Sequence, residues 1–438
     1  MHDVFIIPQK EDYIVYAPLL GILFDANSDF CAELTKYLET GTTSEEFLNE
    51  LNEIGLLEAR KTIAVDVEKK AEAALSPNGM IFLFSDSCNL RCKYCFASSG
   101  EKLTPTFNQE LTNAAVEFVI NNAKKNGTEC SISFHGGGEP TYDITWLKSV
   151  VNHANRYATK VNMAGKVECM IVTNGFVSEE TARWLSESMS RIQVSIDGYP
   201  EIQNDQRPTA NGAESFEQVF RTIKILEKGR ADLFVRSTIS RKSQDKLPEI
   251  ARFLCKNINV EKYYWGTVNN YGRAAKSDYC EPEPISFVLS LIEAQKVANQ
   301  YGKKIIICTA QDNFPDVTYE YCGATNPIFG LTKDGNITAC PEVISPDDKR
   351  KGIFWYGKYD PINGEFVFDG EKITSLVSYQ AKDTDKCCDC FAKYQCAGDC
   401  RARWYDFETC KLIKDEDFRC IVNRSLVEQK IQDAIMQS

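Results

Sequence analysis

Strand-like and helix-like segments alternate between residues 78 and 302, and this alternation limits the fold more than any other feature of the sequence. Apolar runs that alternate with amphipathic helices are typical of parallel strands joined by right-handed crossovers. We therefore predict an α/β fold built as a partial (β/α)6 barrel. The predicted strands are Met80–Phe84, Cys130–Phe134, Val167–Thr173, Ile192–Ile196, Leu233–Ile239 and Val260–Trp265. The predicted helices are Asn108–Lys124, Ile144–Tyr157, Ser178–Met189, Ser215–Lys228, Gln244–Lys256 and Pro284–Tyr301.

Closely spaced cysteines follow the first predicted strand, at Cys88, Cys92 and Cys95. Thiolates at such tight spacing suit an iron-sulfur cluster or a zinc ion. A structural zinc ion has four closed ligands and a four-iron cluster usually has four thiolates, so a trio leaves one metal position open. We expect that open position to bind a substrate or cofactor. The alternative is a zinc knuckle whose fourth ligand lies elsewhere in the chain.

Polar and glycine-rich segments follow the next three strands. Active sites of barrels lie at the carboxyl ends of the strands, and glycine lets the backbone approach a ligand closely. The strand ends therefore predict a binding site. Its candidate residues are His135, Gly137, Gly138, Glu139, Thr173, Asn174, Ser195 and Asp197.

Length and composition limit the class of protein. A chain of 438 residues is too long for one ordinary core and favours two or three domains. The N-terminus lacks the pattern of an export signal, so we expect a cytoplasmic protein in which the cysteine clusters, drawn from 18 cysteines, are metal ligands. No apolar stretch approaches the roughly 20 residues of a membrane span. The net charge of -12 argues against a nucleic-acid partner.

Residues 1–65 form a separate predicted module. The predicted strands Val4–Ile7, Tyr13–Ala17 and Gly21–Phe24 precede the predicted helices Ser28–Tyr37 and Ser44–Ile54. This order predicts a compact winged-helix-like module. A polar linker over residues 66–77 follows, and it overlaps a helical pattern that runs from Lys61 to Ala74.

The motif Cys88-x3-Cys92-x2-Cys95, with Tyr94 before the last cysteine, resembles the metal-binding loop of the radical S-adenosylmethionine (SAM) enzymes. In that family the thiolates hold a four-iron cluster whose open iron binds SAM, and an electron from the cluster releases a 5'-deoxyadenosyl radical. The resemblance implies that Tyr94 lies near the adenine. It also implies SAM contacts for Gly137, Gly138, Glu139, Thr173, Asn174, Ser195, Asp197 and Arg207.

Several of these residues have alternative interpretations. A Ser-x-Asp sequence such as Ser195 to Asp197 can equally cap the next helix. Arg207 and Arg236 are expected to pair with the SAM carboxylate or a substrate backbone, or to form structural ion pairs. For His135 and His153 we expect structural roles.

A second group of cysteines resembles the SPASM domain that many radical SAM enzymes carry, which implies such a domain over residues 303–425 and a helix over 426–438. By that resemblance the distal four-iron cluster binds Cys387, Cys390, Cys396 and Cys420. The inner cluster binds Cys322, Cys340 and Cys400. Zinc ribbons would need two Cys-x2-Cys pairs, and this region has one. Seven ligands for two clusters leave the inner cluster either with an open iron or with an eighth ligand such as Cys308, Cys388 or Cys410.

The resemblance extends to enzymes that mature ribosomally made peptides (RiPPs). It implies SAM and three 4Fe-4S clusters as cofactors, a precursor peptide with a leader as substrate, and flavodoxin or ferredoxin as electron donor. The N-terminal module then either binds the leader as an added strand or simply covers the barrel. After hydrogen abstraction, cross-linking requires removal of one further electron, which an auxiliary cluster accepts.

The expected reaction is an intramolecular thioether or another side-chain cross-link. The enzymatic alternative is a sulfatase-maturing, formylglycine-forming oxidase. In those enzymes an aspartate tends to follow the second SPASM cysteine directly, whereas here Pro341 and Glu342 follow Cys340. Glu342 is a candidate general base. The non-enzymatic alternative is an electron-transfer protein with several clusters.

Overall fold

The protein is described by a computed structural model over residues 3–9, 12–59, 66–83, 86–101, 107–307, 309–310, 314–322, 327–378, 384–406, 409–413 and 416–437. The predicted features at Lys61, Phe84 and Cys308 lie outside the described residues.

The N-terminal module is a small antiparallel sheet followed by two helices in the described residues. The strands pair in the order β1, β2, β3, with bounds β1 Phe5–Pro8, β2 Tyr13–Ala17 and β3 Ile22–Ala26. The helices are α1 Ser28–Thr40 and α2 Glu45–Ile54. Both helices begin at a side-chain cap, since Asn27 accepts a hydrogen bond from Phe30 N at 2.9 Å and Ser44 accepts one from Phe47 N at 3.1 Å. The predicted strands and helices of this module are confirmed.

After helix α3 (Val67–Leu75), strands and helices alternate as predicted, with ends shifted by up to three residues. The strands in this part are β4 Gly79–Leu83, β5 Cys130–His135, β6 Val167–Thr173, β7 Arg191–Ser195, β8 Asp232–Ile239, β9 Lys262–Thr267 and β10 Lys304–Ile307. The helices are α4 Gln109–Asn126, α5 Ile144–Lys160, α6 Glu179–Ser188, α7 Pro200–Gln206, α8 Phe216–Leu226, α9 Leu247–Asn257 and α10 Pro284–Gln300. All pairings from β4 to β10 are parallel, which confirms the predicted α/β architecture.

The sheet crosses the boundary that the sequence predicts at residue 302. Strand β10 pairs with β9 beyond that point, and the later strand β11 (Ile328–Thr332) pairs in parallel with β4 at the opposite edge. Antiparallel strands then extend the same sheet: β12 Asn336–Thr338, β13 Trp355–Asp360 and β14 Glu365–Phe368. The C-terminal region is therefore joined to the barrel through the sheet itself.

The α-helices described in the C-terminal region are α11 Lys351–Phe354, α12 Gly370–Ser378, α13 Lys393–Cys396 and the longer α14 Phe418–Ile435. The last helix was predicted for residues 426–438 and instead begins at Phe418. The reason is the cap: the Asp417 carboxylate accepts a hydrogen bond from Cys420 N at 2.9 Å, so the helix includes the last cysteine.

The core of the barrel packs the parallel strands against their helices. Phe82 on β4 stacks on Phe134 of β5 with ring centroids 5.7 Å apart, and Trp146 of α5 meets Phe82 edge-on at 5.3 Å. This packing fixes the strand ends that carry the candidate site. No helix within the described ranges is both long and apolar enough to cross a membrane.

Candidate active site

A cavity of about 350 Å³ lies at the carboxyl ends of the parallel strands. We call it the strand-end cavity. Residues predicted at this site line it, namely Cys88, Cys92, Tyr94, Cys95, Gly137, Gly138, Glu139, Thr173, Asn174, Ser195 and Arg207. Asp197 is the exception, because it is fully buried and does not line the cavity.

The three cysteines of the first loop present their thiols to the cavity. Asn174 Nδ2 lies 3.7 Å from the Cys88 sulfur, and Arg207 Nη1 lies 3.9 Å from the Cys92 sulfur. Burial, assisted by the neighbouring Cys95, raises the pKa of Cys88 to about 11 and that of Cys92 to about 12. Free thiols here are therefore protonated at neutral pH. Bound metal would favour the thiolate instead.

Glu139 lies beside the cysteines and is buried, with 2% of the residue exposed. Its Oε1 accepts hydrogen bonds from Thr141 Oγ1 at 2.7 Å and Thr173 Oγ1 at 2.8 Å, together with Thr141 N at 3.1 Å. Its Oε2 accepts one, from Asn174 N at 2.7 Å. A carboxylate oxygen can accept two hydrogen bonds, so Oε2 retains capacity for a ligand. Burial raises the pKa of Glu139.

Asp197 anchors a buried network behind the cavity wall. Arg207 Nε lies 3.0 Å from its Oδ1, and Thr238 N donates to the same oxygen at 2.9 Å. Tyr94 Oη donates to Oδ2 at 2.5 Å and Gln206 Nε2 at 2.8 Å. Three hydrogen-bond donors and the Arg207 cation surround the carboxylate, so Asp197 supports Tyr94 and Arg207 and does not contact the cavity.

Arg236 differs from Arg207. Its side chain is exposed to the cavity, and no described residue forms a hydrogen bond or ion pair with its guanidinium. It is the register partner of Ser195 on the neighbouring strand β7, and a methyl group on Gly266 would lie 3.2 Å from its Nη2. Burial and the charge of Arg236 lower the pKa of the cavity-lining His135 to about 4, so that imidazole is neutral.

The cysteine loop is braced by residues that the sequence did not single out. Arg273 Nε donates to Cys92 O at 2.9 Å, and both of its terminal nitrogens lie 3.1 Å from Ser99 O. Gly272 has φ +64, and a Cβ there would lie 2.5 Å from Cys95 O. Only glycine permits this approach. No motif marks these residues, because their partners lie far away in the chain.

On the far side of the cavity, Glu342 faces the strand ends. Its carboxylate accepts hydrogen bonds from Tyr271 Oη and from Asn269 Nδ2, the latter at 3.2 Å. Burial and the charge of Glu342 raise the pKa of Tyr271 well above its usual value. Glu342 therefore lines the strand-end cavity and is close enough to Cys340 to affect its thiol electrostatically.

The cysteines predicted for the distal cluster lie together. Burial, Asp399 and the nearby thiols of Cys390, Cys387 and Cys420 raise the pKa of Cys396. All four cysteines line one cavity, which Cys400 lines as well. We call Cys387, Cys390, Cys396 and Cys420 the distal cysteine site.

The cysteines predicted for the inner cluster also lie near one another. Burial raises the pKa of Cys340, and the charges of Glu342, Cys400 and Cys322 add to this effect. We call Cys322, Cys340 and Cys400 the inner cysteine site.

The remaining candidate residues lie apart from these sites. Cys388 is exposed and its thiol donates to Asp385 O at 3.2 Å. Cys410 lines neither cavity, and Cys308 lies outside the described residues. His153 Nε2 lies 3.1 Å from the Glu117 carboxylate on neighbouring helices, as a structural role predicts.

Cysteine thiols make up each of these donor sets, and thiolates are the usual ligands of iron-sulfur clusters. No three described His, Cys, Asp or Glu side chains approach closely enough to share one metal ion.

Comparison with known proteins agrees with this geometry. Residues 82–254 match the Radical SAM superfamily. The chain therefore carries a radical SAM domain, and the matched range contains the three cysteines, the glycine motif and the Asp197 network.

One curated relative is the cysteine-type anaerobic sulfatase-maturating enzyme of Clostridium novyi (strain NT), 27% identical over 179 residues. That match covers 39% of this chain and 46% of the relative, so it spans about half of the relative's length.

Solved structures share the fold over more of the chain. Native anSMEcpe with bound AdoMet has a TM-score of 0.65 at 19% identity, covering 82% of this chain and 99% of that one. Streptococcus suis SuiB bound to its precursor peptide SuiA has a TM-score of 0.54 at 13% identity, covering 96% of this chain and 97% of that one.

Proposed function

We propose that the protein is a radical SAM enzyme that oxidatively modifies a ribosomally made precursor peptide by forming an intramolecular thioether or another side-chain cross-link. The observation that carries the proposal is the strand-end cavity, which brings three thiols, Glu139 and the unpaired Arg236 together within a radical SAM domain. The thiols suit an iron-sulfur cluster, and the charged side chains of Glu139 and Arg236 suit the amino and carboxylate groups of an amino acid ligand.

Different residues of this chain would bind different groups of SAM. Cys88, Cys92 and Cys95 would hold a four-iron cluster, which supplies the electron that splits SAM. The free acceptor on Glu139 Oε2 suits the SAM amino group. Arg236, beside Ser195, suits the SAM carboxylate better than Arg207 does, because Asp197 already neutralises Arg207. Tyr94 would face the adenine.

Further residues would position SAM and its surroundings. Thr173 and Asn174 fix the Glu139 carboxylate, and Asn174 also contacts Cys88. The Asp197 network holds Tyr94 and Arg207 in place.

The C-terminal cysteine sites would hold two auxiliary clusters. Cross-linking leaves one electron to remove from the substrate, and a nearby cluster is a suitable acceptor. The inner cysteine site suits this role because Glu342 borders both Cys340 and the strand-end cavity. Glu342, held by Tyr271, would take the substrate proton. Flavodoxin or ferredoxin would deliver the electron that starts the reaction.

The N-terminal module would bind the leader of the precursor peptide. Strands β1 and β3 are the edges of its sheet, and an extended peptide can pair with such an edge. The face of β2 formed by Ile14 and Tyr16 packs with Val427 and Ile431 of α14, so the module adjoins the C-terminal region. The likeness to SuiB, over 96% of this chain, supports a peptide substrate.

A second candidate function is maturation of an anaerobic sulfatase. The Clostridium novyi relative and the fold of anSMEcpe favour it. The insertion of Pro341 between Cys340 and Glu342 and the leader-type module favour the peptide maturase. An electron-transfer protein would not need a 350 Å³ cavity beside its first cysteine site.

Anaerobic incubation with SAM, a reductant and candidate peptides separates these functions. A peptide that becomes lighter by two hydrogens while 5'-deoxyadenosine accumulates supports cross-linking, and formylglycine supports sulfatase maturation. The Cys92→Ala variant is the control and should form neither product. Absence of 5'-deoxyadenosine from iron-loaded wild-type protein would contradict both enzymatic functions.

A further inference from the structure

A buried ion pair, Asp399 with Arg419, lines the cavity of the distal cysteine site, which Cys400 of the inner site also lines. Arg419 Nε donates to Asp399 Oδ2 at 2.6 Å, and Nη2 donates to Oδ1 at 2.9 Å. The Asp399 side chain is 10% exposed and the Arg419 side chain is 8% exposed. Asn423 Nδ2 adds a hydrogen bond to Oδ2 at 2.8 Å, and its own Oδ1 accepts one from Ala310 N. The carboxylate is therefore held rigidly.

Asp399 is joined to a cysteine of each site. It directly precedes Cys400 of the inner site, whose N donates to Asp399 Oδ1 at 2.5 Å. Its own N donates to Cys396 O of the distal site at 2.9 Å. Asp399 occupies the left-handed region at φ +59, a conformation that aspartate adopts more readily than most residues. One carboxylate thus lies in the turn that connects the two sites.

Arg419 is likewise joined to both sites. It directly precedes Cys420 of the distal site in the first turn of α14. Its Nη2 also donates to Tyr321 Oη, and Tyr321 directly precedes Cys322 of the inner site. The guanidinium therefore connects the segments that carry both sets of cysteines.

The pair has the geometry of a salt bridge. Two hydrogen bonds join the Arg419 guanidinium to both oxygens of the Asp399 carboxylate, as in a charge-assisted pair. The Asp399 residue also contacts the backbone of one cysteine in each site, Cys396 and Cys400. A charge at this position therefore lies close to both sites.

We propose that the Asp399–Arg419 pair sets the reduction potentials of the two auxiliary clusters together. The inference rests on the proposed function, which places a cluster at each cysteine site. Buried charges act through a low dielectric, and the net charge around a cluster tunes its potential. Loss of the negative charge makes both clusters easier to reduce, and loss of the positive charge makes both harder to reduce. An equal shift of both reduction potentials leaves their difference unchanged. That difference is the driving force for electron transfer between the two clusters.

The test is a reductive titration of reconstituted full-length protein followed by electron paramagnetic resonance. The variants are Asp399→Asn, Arg419→Gln, Arg419→Lys and the double variant Asp399→Asn with Arg419→Gln. Asp399→Asn should raise both auxiliary midpoint potentials, with at least a tenfold higher ratio of reduced to oxidised cluster at fixed potential, about 59 mV. Arg419→Gln should lower both. Arg419→Lys and the double variant should remain near wild type.

Unchanged potentials in both charge-removing variants, or a shift confined to one cluster, would overturn the inference. Asparagine keeps the size of aspartate, and iron content reports whether each variant loads its clusters. If Asp399→Asn fails to load, the comparison of Arg419→Gln with Arg419→Lys decides. Wild-type protein that binds iron for only one cluster would instead contradict the proposed function, whatever the variants show.

Discussion

Arg207 and Asp197 form a buried ion pair in which Arg207 Nε lies 3.0 Å from Asp197 Oδ1. Because Asp197 neutralises its charge, Arg207 is not a free cation in the strand-end cavity. Cation-π contact adds to this fixation, since the guanidinium lies 5.3 Å from the centre of the Tyr94 ring. The pair explains why Arg236 rather than Arg207 remains available to a carboxylate ligand.

Asp197→Asn should destabilise the protein strongly. The substitution leaves the buried Arg207 without its counter-charge, and breaking such a pair from one side typically costs about 3–5 kcal/mol. The measurement is the free energy of unfolding of the apoprotein. Asp232→Asn is the matched control, because Asp232 is 72% exposed and 4.0 Å from Arg191. Equal effects of the two substitutions would contradict the structural role.

Arg236→Gln should weaken SAM binding by tenfold or more, because a hydrogen bond to a charged group contributes about 1.5–3 kcal/mol. Arg236→Lys should retain part of the affinity. The measurement is the dissociation constant of SAM for the reconstituted protein. Arg221→Gln, which removes an exposed arginine outside the cavity, should have no effect. Unchanged SAM affinity in Arg236→Gln would show that the SAM carboxylate has another partner.

Gly272→Ala should displace the cysteine loop, because the added methyl group would collide with Cys95 O and Phe96 O. Gly302→Ala is a matched control, since Gly302 has a similar φ of +67 but no atom within 4 Å of the new methyl group. The control should cost only the left-handed strain of about 1–2 kcal/mol. The measurements are the free energy of unfolding and the iron content of both variants. Identical results for the two variants would show that the close approach is unimportant.

Glu281 should make stability depend on pH. Burial raises its pKa to about 7, with Asp417 adding to the shift and Arg403, Arg419 and Arg241 opposing it. Between the unfolded value of about 4.3 and pH 7, the folded protein holds a proton that the unfolded chain releases, so stability falls as pH rises.

Glu281→Gln should remove that pH dependence. Compared with the variant, wild-type protein should lose on the order of 3 kcal/mol more stability between pH 4.5 and 8. The measurement is the free energy of unfolding of both apoproteins across that range. Parallel curves would contradict the raised pKa.

The barrel was predictable because its signals are local. Strand Val167–Thr173 was predicted with its observed bounds, since its residues are mostly apolar, as is typical of parallel strands. The strand-end cavity followed from the rule that such strands carry ligands at their carboxyl ends. The C-terminal strands β11 to β14 were not predicted, because their segments are short and their pairing partners are distant.

The roles of individual side chains were less predictable. Sequence alone left both Arg207 and Arg236 as candidates, and only the folded chain shows that Asp197 pairs with the first. Asp197 itself was expected at the ligand, yet its neighbours enclose it completely. The role of Arg273 was not predicted, because it contacts backbone carbonyls of the cysteine loop, and such contacts leave no pattern in the sequence.

The central claim is that Cys88, Cys92 and Cys95 hold a four-iron cluster with an open iron that binds SAM. Electron paramagnetic resonance of reduced, reconstituted protein with and without SAM tests it most directly. We predict a cluster signal that changes on addition of SAM and is absent from the Cys88→Ala, Cys92→Ala, Cys95→Ala triple variant. A wild-type spectrum that SAM leaves unchanged, or one identical to that of the triple variant, would contradict the account.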